Sequence, residues 1–150
     1  MITHVTSLED VSKQDIVALG TEFAAESNLG PFDYEHFYQM TQTPLSMGLA
    51  RLFLMEKAGR VVGILGGLIS PLFFTKTTVA LEMFWYVDKA NRGSIQAVRL
   101  LEAYEKWAEQ SNVNHIYMGF MENLHSDRLR EFYEKRAYRK LESGYVRTLK

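Results

Sequence analysis

The chain contains no cysteine. That excludes disulfides, thiolate zinc sites and a cysteine nucleophile together. Net charge is nearly absent as well: 17 Lys and Arg stand against 18 Asp and Glu, a formal −1. Nucleic acid or an anionic membrane calls for a marked basic excess, so neither is expected as a partner. The four histidines, His4, His36, His115 and His125, show no metal-ligand spacing such as H-x-x-x-H. They read as surface or satisfied structural residues, and no metal is expected. "MITHVTSLEDVSKQD" has neither a basic leader nor a long apolar run, so no signal peptide is expected. The longest apolar stretch, Val61 to Phe74, is broken by Gly63, Gly66, Gly67 and Pro71 and is too short to span a bilayer. These absences together point to a soluble, cytoplasmic chain.

What is present is an ordinary globular composition, 47% hydrophobic and 13% aromatic over 150 residues. That suffices for one compact domain, 1–150, with a real core. "MITHVT" reads as a first strand. Val11, Ile16, Leu19, Phe23 and Ala24 then recur at three- and four-residue steps, predicting a helix that Gly30 and Pro31 end. A shorter helix with an aromatic face, Tyr34, Phe37, Tyr38 and Met40, covers 33–42. From Ala50 the period changes, and 50–57 with 61–70 reads as a hairpin turning at Gly59. "TVALEMFWYV" is apolar throughout except for Glu82, as expected of a central strand covered on both faces. A helix over 95–110 follows, with Ala97, Val98, Leu101, Tyr104 and Ala108 as its core stripe. A strand over 113–121, a helix over 126–136 and a closing pair of strands, 137–142 and 144–149, complete the order. One βαβ unit, Val79 to Met121, joined to local hairpins predicts an α/β fold with a mixed sheet.

Three places could carry chemistry. The first is "WYVDKANRGSIQAVRLL", Trp85 to Leu101, where a strand hands over to a helix. A helix N-terminus offers unpaired N–H donors and the positive end of the helix dipole, a phosphate site in outline. Arg92 adds charge, Gly93 permits close backbone approach, and Ala97 keeps the first turn slim. A tight turn with a surface arginine would read the same way. The second is Tyr133 in "FYEKRAYRKLE": a phenol can donate a proton, and a core tyrosine is the plain alternative. The third is Glu82. Burial could raise its pKa toward that of a useful base, or it could reach solvent or pair with an arginine.

Taken together these segments resemble the GNAT superfamily of acetyl-CoA-dependent N-acetyltransferases. Arg92-Gly93-Ser94-Ile95-Gln96-Ala97 matches the first and last positions of its Q/R-x-x-G-x-G/A motif, with Leu100-Leu101 where a leucine pair is frequent. "FYEKRAY" matches its L-Y-E-K-x-G-F segment, and the strand and helix order agrees. The departures are Ile95 for the middle glycine, Ala137 for the later one, and Ser126 seven residues before the tyrosine, where the family often has asparagine. Asn123 stands three residues too early.

The resemblance implies a central mixed sheet flanked by about four helices. It implies acetyl-CoA as cosubstrate, held by the backbone of Trp85, Tyr86 and Val87, by residues Arg92, Gly93, Ser94, Ile95, Gln96 and Ala97, and by Ser126. It implies a small-molecule or peptide amine attacking the thioester directly. Glu82 would take the amine proton, and Tyr133 would protonate the leaving thiolate. A homodimer is left open. The competing expectations are a non-catalytic acyl-CoA-binding module and a structural domain without CoA affinity.

Overall fold

A computed structural model of the chain describes residues 1–121 and 126–150. Asn123 and His125 lie outside the described residues. The chain divides into two compact units, Met1–Gly119 and Phe120–Lys150.

In the first unit the strands are β1 (Ile2–Val5), β2 (Ala50–Lys57), β3 (Arg60–Pro71), β4 (Thr78–Val87) and β5 (His115–Tyr117), and the helices are α1 (Lys13–Ser27), α2 (Tyr34–Ser46) and α3 (Ile95–Gln110). The sheet runs in the order β1-β2-β3-β4-β5. Its first four strands are antiparallel, and β4 and β5 are parallel, as a βαβ crossover through α3 requires. Each helix starts at a polar cap: Ser12, Asp33 and Ser94 accept from the backbone N–H of Asp15, His36 and Ala97. Asp15 is itself buried and accepts the Val61 N–H at 3.0 Å, tying α1 to the start of β3.

The residues of β2 alternate between two faces. Ala50, Leu52 and Leu54 join Leu8, Val11, Ile16, Leu19 and Leu45 in a core beneath α1 and α2. On the other face Phe53 meets the rings of Tyr104 and Trp107 from α3, with centroids 6.2 and 5.9 Å away. β4 breaks the alternation. Gly66 of β3 lies opposite Phe84 while Gly67 lies opposite Glu82, so Met83 is an extra residue in a β-bulge. The two glycines make room for it. A Cβ on Gly66 would meet Phe84 Cζ at 2.7 Å, and one on Gly67 would meet Trp107 Cζ3 at 2.6 Å.

The second unit carries α4 (Ser126–Lys135), amphipathic and closed by the Tyr138 N–H donating to the Tyr133 carbonyl at 3.1 Å. Three expectations need correction. The strand expected over 113–121 pairs only at 115–117. The closing strands over 137–142 and 144–149 are not strands: the segment has no ladder, and Leu141, Tyr145, Val146 and Leu149 are exposed. The helix expected to stop at 42 runs on to Ser46 through Pro44. A proline there removes one hydrogen bond near the helix end, and burial of the next residue, Leu45, offsets the loss. Among the described residues no helix is long and apolar enough to cross a membrane.

Candidate active site

The site begins where β4 and β5 part. They pair only from Val79 to Leu81, opposite His115 to Tyr117, while β4 continues to Val87. Among the described residues no strand pairs with the outer edge of β4 beyond Leu81. On the inner side the Asp88 N–H donates to the Val62 carbonyl at 3.0 Å. By two-residue alternation Tyr86 and Phe84 also direct their backbone groups toward β3, and Trp85 and Val87 turn theirs the other way, where the Val87 carbonyl accepts Arg92 Nε. An extended ligand could add to that edge as a strand does.

Glu82 stands at the apex of the split. Its Oε2 accepts the Gly119 N–H at 3.1 Å. Burial drives the carboxyl up to about 7, and the Gly119 hydrogen bond only partly opposes this. A carboxyl poised there can hold or release a proton near neutrality, as a general base needs.

At the other end of the open edge the chain enters α3. Asp88 caps a 3-10 turn at Lys89–Asn91, and Gly93 takes φ +71°, the left-handed region glycine favours. Ser94 Oγ accepts from Ala97, so the Ile95 and Gln96 amides remain at the helix start without intrahelical acceptors. The Ile95 side chain is exposed. The end of β4 leads through the 88–94 turn to the N–H groups and dipole of the α3 start, a place suited to a phosphate. These residues fit acetyl-CoA, whose pantetheine is extended and whose pyrophosphate is anionic. Among the described residues no group of three or more His, Asp or Glu could hold a metal.

Arg92 answers to a residue the sequence did not single out. Its Nη groups donate to both carboxylate oxygens of Glu26 on α1, and its Nε donates to the Val87 carbonyl at 2.8 Å. The guanidinium lies 4.9 Å from the Tyr86 ring centre, and the Tyr86 hydroxyl donates to Glu26 Oε2 at 2.7 Å. The Arg92 hydrogen bonds hold the Glu26 carboxyl down at about 2. A sequence signal existed: Glu26 is an acid in the last turn of α1, where the helix dipole disfavours one.

The structure thus brings Glu82, Trp85, Tyr86, Val87 and residues 92–97 along one edge and the turn beyond it. Ser126 and Tyr133 belong to the second unit. Ser126 is the first residue of α4. Tyr133 is buried there, its ring stacked on Phe120 at 6.1 Å and against Tyr138 at 5.5 Å.

The model of the acetyltransferase (GNAT) family matches residues 18–138. Among curated proteins none matches the chain. Solved structures do. An aminoglycoside acetyltransferase from an uncultured soil metagenomic sample aligns with TM-score 0.74 at 16% identity, over 100% of this chain and 96% of its own. A ribosomal-protein-alanine N-acetyltransferase from Brucella melitensis biovar Abortus 2308 aligns with TM-score 0.72 at 19% identity, over 100% and 99%. A protein described as a transcriptional regulator from Bacillus halodurans C-125 aligns with TM-score 0.76 at 15% identity, over 99% and 100%. At such identities these likenesses speak for the fold alone. With the family model spanning four-fifths of its length, the chain belongs to the GNAT acetyltransferases.

Proposed function

We propose that the protein transfers an acetyl group from acetyl-CoA to a primary amine by direct attack. The observation that carries this reading is the split of β4 from β5 at Glu82, where β4 runs on past the β5 ladder toward the start of α3. Trp85 and Val87 hold the pantetheine by backbone hydrogen bonds, alongside Tyr86. Residues 92–97 receive the pyrophosphate, and Ser126 lends a hydroxyl to the cofactor. When bound, acetyl-CoA supplies a thioester carbonyl open to attack. Glu82 takes the proton of the amine, directly or through water, and its pKa near 7 suits that task. Tyr133, by the family resemblance, donates the proton that the departing sulfur needs. The acceptor is an amine of a small molecule or a peptide. Two of the structural neighbours are named for an aminoglycoside and a ribosomal-protein alanine, which supports the amine class without choosing between them.

The test is a calorimetric titration with CoA, followed by a screen of amines with acetyl-CoA and free-thiol detection. Because the chain has no cysteine, every thiol detected is released CoA. Saturable CoA binding and amine-dependent thiol release support the reading. Binding without release on any amine would instead identify an acyl-CoA-binding module. No binding at all would remove the cofactor from the protein.

A further inference from the structure

Glu26 is too heavily engaged for a helix-surface acid. One carboxylate gathers donors from three points, one near the end of β4 and two in the segment after it: the Tyr86 hydroxyl at 2.7 Å, Lys89 Nζ at 3.6 Å and both Nη groups of Arg92. One turn earlier on the same face, Glu22 accepts the Lys89 backbone N–H at 3.3 Å. The Glu26 side chain is only 14% exposed and that of Arg92 25%. Bidentate pairs of this kind fix geometry as well as charge.

The segment needs such a hold. Gly93 has nothing within 4 Å of where a Cβ would stand, and the Ile95 side chain is exposed, so apolar packing does not order the turn. Arg92 is its anchor, fastened to the Val87 carbonyl on one side and to Glu26 on the other. A turn that must be ordered when its ligand arrives loses affinity to that ordering.

We propose that Glu26 is a positioning residue for the cofactor: by holding Arg92 it sets the Gly93–Gln96 amides in the pose that receives the pyrophosphate. This rests on the acetyl-CoA reading above. It also opposes the simplest view of the pair, in which Glu26 competes with phosphate for Arg92 and its loss would tighten binding. With three of its five N–H groups already committed, Arg92 acts through shape more than as a mobile charge.

Calorimetry on the full chain separates the possibilities, with two probes: CoA, and pantetheine, which lacks the phosphates. Glu26→Gln should raise the Kd for CoA by about 5- to 50-fold, the scale of a lost charged hydrogen bond, and leave pantetheine unchanged. Arg92→Lys keeps the charge but cannot make the bidentate pair, so it should weaken CoA similarly and stands in should Glu26→Gln fail to fold. Unchanged or tighter CoA binding in either folded variant overturns the proposal. Equal losses for CoA and pantetheine also overturn it, because Glu26 would then support the fold in general. A wild-type protein that does not bind CoA removes the acetyl-CoA reading and this inference with it, whereas wild-type binding beside unaffected variants removes this inference alone.

Discussion

Glu82 and Gly119 face each other across the point where β4 and β5 separate, the backbone N–H of one donating to the carboxylate of the other at 3.1 Å. The Glu82 residue is half-buried, and desolvation of its carboxyl outweighs the Gly119 hydrogen bond, so the proton is held to about pH 7. Two consequences can be measured, one on a variant and one on the wild type. Glu82→Gln keeps an oxygen for Gly119 and loses the base, so kcat should fall by about 10²–10⁴-fold. In the wild type, the rate should rise with pH through about 7 as the carboxyl ionises.

The same substitution should make the protein more stable. The folded pKa of Glu82 lies above the unfolded value of 4.5. The unfavourable contribution is therefore absent below 4.5, grows as pH rises, and is complete above 7. Thermal melts should show Glu82→Gln gaining over wild type at pH 8 and matching it near pH 4. Equal melting temperatures at pH 8 would show that the carboxylate is well solvated in the folded protein.

Tyr133 offers the converse test. Its ring stacks on Phe120 and meets Tyr138 at a tilt, so Tyr133→Phe keeps the packing and removes one hydroxyl. A general acid predicts a loss in kcat of about 10²–10⁴-fold with CoA affinity little changed. Full turnover on a working acceptor would return the proton donation to water or to the substrate ammonium.

Gly67→Ala tests the fold at the bulge. The new methyl group would stand 2.6 Å from Trp107 Cζ3 and 2.8 Å from Tyr104 Cε2. Tyr104 has little freedom to yield, because its hydroxyl donates to the Ala80 carbonyl at 2.8 Å and its side chain is fully buried. The expected cost is about 1–3 kcal/mol, read as a lower urea midpoint with unchanged slope.

Ile95→Gly restores the glycine of the family motif at the first position of α3. The Ile95 side chain is exposed and packs little, so the stability loss should stay under about 1 kcal/mol. CoA affinity should be equal or tighter. A large loss of binding in a folded variant would mean that 92–97 is not the phosphate-binding turn.

How far the sequence could be read follows from what each element depends on. α3 runs over 95–110 as its apolar stripe predicts, because its period and its Ser94 cap are local. The strands expected over 137–149 are absent for the opposite reason. Tyr138, Tyr145 and Val146 supply strand propensity, but a strand also needs a partner, and propensity does not name one. Glu82 could be singled out because a charge inside an apolar run is conspicuous, whereas the edge at Trp85 to Val87 was implied only by the family resemblance. The bulge could not, since "ALEMFWYV" shows no alternation for Met83 to interrupt. Glu26 pairs with a residue 66 positions away, a distance no periodicity spans, and only its conflict with the α1 dipole marked it.

The extra residue in β4 makes the shape of the strand a matter of counting. Met83 and Phe84 share the side of the sheet that the missing Gly66 Cβ would occupy, and the strand bends there. Removing Met83 would leave Glu82 opposite Gly67 and Phe84 opposite Gly66, so every side chain on either side would keep its face. Only the bend would go. Substitutions scanned one at a time along this strand would never reveal that dependence. A deletion of a single codon would, by removing the bend while leaving the register of both flanks intact.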